Sequence, residues 1–178
     1  MNYIIFDLES TCWKEKSGRI REIIEIGAVK IDSAQNIVSE FDAFVKPIIN
    51  PRLSDFCQEL TSIQQNDIDK ARPFPQVISD FQTWIDIEAP YVLCSWGFYD
   101  RTQLKADCSL HGVDASWVNA HISLKHQFAE IKKLRRPVGM KAALKHEGFE
   151  LSGTHHRGID DARNIAKVFQ KNFQGWKF

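Results

Sequence analysis

Asp7 and Glu9 close an apolar run, Tyr3-Ile4-Ile5-Phe6, in the form Asp7-Leu8-Glu9. Side chains alternate across a strand, so the two carboxylates share one face while Phe6 and Leu8 take the other. Two acids at the end of a buried strand repel each other unless a cation lies between them, because charge taken out of water requires pairing or metal coordination. The pair suits a divalent metal, although a strand that simply ends at Asp7 with both acids solvated accounts for it equally well. A third acid, Asp100, follows the apolar stretch Tyr91 to Trp96 and the loop Gly97-Phe98-Tyr99. On a helix beginning there, Asp100, Leu104 and Cys108 form one stripe, which places the acid on the packed side. Aspartate is also a favoured helix cap, and for Asp100 taken alone that role suffices.

The remaining cluster is His155-His156-Arg157-Gly158-Ile159-Asp160-Asp161. Helical phase separates its two aspartates: Asp161 aligns with Ile165 and Val168 on the core side, Asp160 with the polar row Asn164, Lys167 and Lys171. Asp161 is therefore the candidate ligand and Asp160 the candidate cap. His156 lies five residues before Asp161, on a loop to which Gly158 gives freedom to turn. A surface histidine beside a cap is the plain alternative.

These groups need a scaffold. The first strand covers about residues 3 to 9, and a charged turn contains Lys14 to Gly18. Ile23 to Ile31 and Ile37 to Lys46 read as two further strands, joined by the polar stretch Asp32 to Asn36, so that the three form an antiparallel meander. Pro47 and Pro51 stop the third strand. Ser54 to Leu60 and Gln64 to Asp69 are expected as short helices and Pro75 to Ile87 as a longer amphipathic one. Then come a strand over Tyr91 to Trp96, a helix over Asp100 to His111, and a short strand near Trp117 to Asn119. Helices over Leu124 to Lys133, Gly139 to Glu147 and Ile159 to Phe173 complete the pattern. The alternation of helix and strand in the second half implies parallel additions to the meander, an α/β domain.

With 178 residues, residues 1–178 are expected to form one domain, long enough to bury about 70 % of its unfolded surface. Cys12, Cys57, Cys94 and Cys108 are scattered, without zinc-ligand spacing or a disulfide framework, and read as reduced thiols of a cytoplasmic protein. The amino terminus has no basic region and its apolar stretch is broken at Asp7, which argues against a signal peptide. No segment approaches a membrane span. The 23 basic and 23 acidic side chains balance, unlike proteins that grip long duplexes, so a nucleic-acid partner would be touched at few phosphates. The one basic concentration runs from Lys125 through Lys132, Lys133, Arg135 and Arg136 to Lys141 and Lys145. Steering of a polyanion and a solvated surface explain it about equally.

Taken together, the acids and the histidine resemble the DEDDh subgroup of the DnaQ-like 3′–5′ exonucleases, with DxE at Asp7 and Glu9, the third acid at Asp100, and HxxxxD at His156 and Asp161. Finer features are similar to the Eri and KapD type branch, which includes histone-mRNA 3′ exonucleases: DLESTCW at 7–13, EIIEIGAV at 22–29, FCQELTSI at 56–63 and HHRGIDDARNIA at 155–166. The resemblance covers nearly the whole chain, with no departure at the five catalytic positions.

It implies a ribonuclease-H-like fold with a mixed five-stranded sheet, and release of nucleoside 5′-monophosphates from a nucleic-acid 3′ end. It further implies two divalent cations, Mg²⁺ or Mn²⁺, which suit four carboxylates as hard, oxygen-loving ions. Asp7 would bridge both, Glu9 and Asp161 would hold the ion beside the attacking water, and Asp100 would secure the second. His156 would serve as general base, its imidazole titrating near the operating pH. By similarity Ser10, Thr11, Leu60 and Thr61 would line the terminal nucleotide. Phe98 and Tyr99 either stack on a base or pack in the core. Glu25 interrupts an apolar strand and is either a support for the site or an exposed strand position. Single-stranded RNA 3′ ends are the favoured substrate; a DNA exonuclease of the proofreading or repair type and a catalytically silent nucleic-acid-binding module are the alternatives.

Overall fold

A computed structural model describes residues 1–15 and 18–178; Lys16 and Ser17 of the expected charged turn lie outside the described residues. Three strands, β1 (Asn2–Ser10), β2 (Ile23–Ile31) and β3 (Ile37–Lys46), form the antiparallel meander. Two short helices follow, α1 (Asp55–Thr61) and α2 (Gln65–Asp69), and then β4 (Arg72–Pro73), which runs parallel to β3. Helix α3 (Phe74–Ile85) leads to β5 (Tyr91–Ser95), parallel to β1, and α4 (Tyr99–Leu110) leads to β6 (His121–Ser123), parallel to β5. Helices α5 (Leu124–Ile131), α6 (Met140–His146) and α7 (Gly158–Lys171) close the chain. The sheet order is β4-β3-β2-β1-β5-β6.

The sheet thus has six strands rather than five, for two local reasons. Arg72-Pro73 is too short to show a strand pattern, and proline is tolerated there because it pairs at the sheet's outer edge. The apolar pair Trp117-Val118, expected in a strand, lies instead in a 3₁₀ turn over Ser116–Asn119, where both side chains are buried. The pairing strand falls just after it, at His121–Ser123, where His-Ile-Ser carries little hydrophobic signal.

Alternation along β1 sorts the core into two layers. Tyr3 and Ile5 face the same side as Val29 and Ile31, and this layer is packed by α5, α6 and α7. Ile4, Phe6 and Leu8 join Ile26 and Ala28 on the other side, covered by α3 and α4. Asp7 and Glu9 continue the first series, so they emerge where the α7 layer runs out of apolar side chains. Among the described residues no helix is long and apolar enough to cross a membrane.

Candidate active site

The acids meet at the carboxyl ends of β1 and β5. Strand β1 carries Asp7 and Glu9, which are opposite Gly27 and Glu25 of β2 in the ladder and so share one face with them. Gly27 has a specific use: a Cβ there would lie 2.0 Å from the Gly158 carbonyl carbon, so the start of α7 could not sit on the sheet at this point. That close approach delivers Asp161. Asp7, Glu9 and Asp161 each offer an oxygen, and the three lie within 4.8 Å of one another. Asp100, in the first turn of α4, lines the same cleft of about 480 Å³. Its carboxylate is buried and accepts a 3.3 Å hydrogen bond from the Leu8 amide, so it reaches across to β1 instead of capping α4.

The helical-phase separation of the two aspartates is visible in the fold. Asp161 is buried and faces the cleft, whereas Asp160 is partly exposed and pairs with Arg163 at 3.0 Å. Asp160 does not act as the helix cap; its Oδ2 accepts from the Thr154 amide at 2.8 Å, because it lies inside the first turn of α7 and faces back to the preceding loop. Its polar row is also less solvated than the sequence pattern implies, since Asn164 is fully buried and exchanges hydrogen bonds with Ser152.

His156 lines the cleft, half-buried, with a left-handed backbone (φ 64°). Its amide donates to Asp161 Oδ2 at 3.0 Å. The neighbouring His155, which the motif spacing passed over, places Nδ1 3.0 Å from both Asp161 oxygens and its ring 3.9 Å from that of His156. The doubled histidine was the only sequence sign of this.

Glu25 is fully buried and resolves to the supporting alternative. It accepts from Arg157 Nε and Nη2 at 3.1–3.2 Å and from the Gly158 amide at 2.8 Å, while the Arg157 guanidinium also lies 5.2 Å from the Phe44 ring centre. This clamp docks the first residues of α7, and with them Asp161 and the His156 loop, onto β2. Removing one partner of a buried ion pair leaves the other uncompensated. Glu25→Ala is therefore expected to lower the unfolding free energy by about 3 kcal/mol, read by urea denaturation of the metal-free protein, and to reduce activity as well. A variant as stable as the parent would show that the clamp does not hold α7.

The substrate-facing residues divide. Ser10, Leu60 and Tyr99 line the cleft, and the Ser10 hydroxyl is 2.7 Å from that of Tyr99. Phe98 and Tyr99 are 50 % and 44 % exposed, so neither is a core residue; Phe98 stacks on His126 with ring centres 4.8 Å apart. Thr11 and Thr61 are not brought to the cleft. Both are buried, Thr11 Oγ1 accepting from the Glu22 amide at 3.0 Å, where the chain leaving β1 pairs with the chain entering β2, and Thr61 Oγ1 donating to the Cys57 carbonyl at 2.8 Å within α1. The basic run divides too: Lys125 lines the cleft, while Lys132 is tied to buried Glu147 at 2.8 Å.

The electrostatics match a site built for cations. Burial, reinforced by the charges of Asp100, Glu9, Asp161 and Glu25, holds the Asp7 carboxyl well above its ordinary value. Glu9 is pushed up to about 8 by burial and then by Glu25, Asp161 and Asp100. Asp100 rises to about 6 because burial outweighs the hydrogen bond from Leu8. A carboxylate whose folded pKa exceeds its unfolded one costs stability that grows as pH rises from the unfolded to the folded value. For Glu9 that window is 4.5 to about 8, and for Asp100 3.8 to about 6. The thermal midpoint of metal-free protein should fall between about pH 5 and about pH 8, and added Mg²⁺ or Mn²⁺ should restore it far more at the upper end. Midpoints indifferent to both pH and cation would mean that these acids are not clustered in solution.

A family model described as "Exonuclease" (RNase_T) matches residues 4–169. The chain belongs to this exonuclease family. It is 35% identical to ERI1 exoribonuclease 2 of Xenopus laevis over 93% of this chain, but that match takes in 27% of the relative's length. The 3'-5' exonuclease Snipper of Drosophila melanogaster is 30% identical, with 96% of this chain and 69% of Snipper covered. The chain thus spans about a quarter of the length of the first of these curated relatives. A crystallographic structure of the nuclease domain of 3'hExo, "a DEDDh family member, bound to rAMP", superposes with a TM-score of 0.92 at 29% identity, over 97% of this chain and 92% of that one. The ribonuclease-H-like α/β fold is thereby established for this exonuclease domain. Members of the DEDDh exonuclease family depend on divalent metal, and the oxygen-rich donor set fits that requirement.

Proposed function

We propose that this exonuclease domain removes nucleoside 5′-monophosphates from the 3′ ends of single-stranded or overhanging RNA, assisted by two divalent cations, Mg²⁺ or Mn²⁺. The observation that carries the reading is the convergence of Asp7, Glu9, Asp100 and Asp161 in one cleft with His156 at its wall. Bound cations at these carboxylates would neutralise charge on the scissile phosphate and on the leaving oxygen. The chain's own residues supply the rest. His156, whose pKa burial and the neighbouring His155 lower, stays neutral at physiological pH and can accept a proton from the attacking water. Glu25 and Arg157 fix the loop on which His156 rides. Leu60 and Tyr99 offer apolar surface for the terminal base, and aromatic faces accept any base without reading sequence.

RNA is favoured over DNA by the relatives, which include enzymes named exoribonucleases, and by the rAMP in the 3'hExo nuclease domain. We place the chain in the cytoplasm, a reading supported by four cysteines with free thiols. Residues 1–178 are read as one catalytic unit, supported by the family match over 4–169 and by a single continuous sheet.

Matched labelled RNA and DNA strands, each with a free or a blocked 3′ end, test the proposal when incubated with Mg²⁺ or Mn²⁺. Stepwise mononucleotide release from free RNA ends is expected, with blocked ends resistant and excess chelator stopping the reaction. Faster release from DNA would shift the assignment to the proofreading or repair type. Internal cleavage of blocked strands would make the protein an endonuclease, and binding without cleavage would make it a silent module.

A further inference from the structure

Beyond the acidic cleft, two cysteines distant in sequence meet behind its wall. Cys12 follows β1 and is partly exposed, lining the cleft; Cys57 lies in α1 and is fully buried. One hydroxyl joins their backbones: Ser54 Oγ donates to the Cys12 carbonyl at 2.6 Å and accepts from the Cys57 amide at 3.0 Å. Cys57 Sγ points toward the same segment, 3.7 Å from the Ser10 carbonyl oxygen. Both residues belong to the small apolar cluster of Ile24, Leu53, Ile63 and Ile68. Cys94 and Cys108, by contrast, lie apart from each other in the two main core layers.

We propose that Cys12 and Cys57 are a reversible thiol-oxidation site, at which a small-molecule disulfide is reduced and the two side chains close into a Cys12–Cys57 disulfide. The steps balance. The Cys57 sulfur beside it and burial raise the Cys12 thiol well above its ordinary value, so Cys12, the solvent-reachable sulfur, passes its proton to Cys57 as it attacks one sulfur of the small disulfide, forming a mixed disulfide and expelling one thiolate. Cys57 then attacks the Cys12 sulfur and expels the second. The two protein thiols lose two protons and two electrons; the small disulfide takes both and leaves as two thiols. The neighbouring Cys12 side chain lowers the Cys57 thiol to about 7, so Cys57 readily gives that proton up and acts as the resolving nucleophile. The product would link the end of β1 to α1, the helix whose Leu60 lines the cleft.

The inference does not depend on the nuclease reading, because its readout is the thiols themselves. The whole chain, exposed to glutathione disulfide, alkylated and digested, is expected to yield one cross-linked peptide pair containing Cys12 and Cys57, reversed by dithiothreitol. Cys12→Ser should abolish the cross-link, and Cys57→Ser should leave one persistent glutathione adduct on Cys12. If Cys57→Ser does not fold, an early sample of the parent protein should contain that adduct before the cross-link appears. A persistent adduct on Cys12 in the parent protein would overturn the proposal. So would thiols that remain fully alkylatable, or a cross-link through Cys94 or Cys108.

Discussion

Asp7→Asn is expected to leave a folded protein with almost no nucleotide release. The substitution keeps shape but removes a negative charge from the middle of the cluster, where Glu9 and Asp161 lie within 4.8 Å and Asp100 shares the cleft. Metal-ion stabilisation of the transition state is worth several kcal/mol. Losing about 4 kcal/mol of it corresponds to roughly a 10³-fold fall in turnover. Stability should move the other way: neighbouring acids and burial disfavour the Asp7 charge, so metal-free Asp7→Asn should melt no lower than its parent near neutral pH. This opposite movement separates loss of a ligand from misfolding. Asp161→Asn should lose activity to a similar extent, while Asp160→Asn should cost activity little, because its remaining oxygen can still accept from the Thr154 amide. Initial rates on a 3′-labelled RNA strand measure all three. Turnover of Asp7→Asn within tenfold of the parent, or equal losses at 160 and 161, would refute the division of roles.

The second large effect falls on His156. Its replacement by Ala should slow turnover by roughly 10²- to 10⁴-fold, as loss of a positioned general base does. The fold, read by circular dichroism, should be retained, because the contact that ties this loop to Asp161 comes from the His156 amide and not from the ring. His155→Ala is the informative companion. Its ring touches the Asp161 carboxylate and lies tilted against that of His156, so it can orient both, and a loss of about tenfold or less is expected for a group that assists without accepting the proton. A greater loss at 155 than at 156 would transfer the role of base to His155.

Much of this protein was legible in its residues. The meander followed from three runs rich in Ile, Val and Phe, and the inward turn of Asp161 from the phase of α7, where Ile165 and Val168 are buried on the same stripe. Those periodicities report burial directly, since each apolar row must find a partner layer. Weak or short signals misled. Trp117-Val118 looked like a strand because it is apolar, yet it fills a gap in the core from a 3₁₀ turn, while the true strand β6 is polar enough to be invisible.

The sequence by itself settled which chemistry was available: four carboxylates and a histidine, spaced so that each begins or ends an element. Only the tertiary structure decided which polar groups serve the cleft and which serve the backbone. Thr11 and Thr61 sit beside cleft residues in the chain but face inward to bond backbone groups, and Glu25, equivocal in its strand, became the anchor of α7 through a partner 132 positions away. The physical reason is that a side chain's hydrogen-bond partner is fixed by packing between layers. Here that packing hinges on the bare face of Gly27, against which α7 comes close enough to bring Asp161 to Asp7.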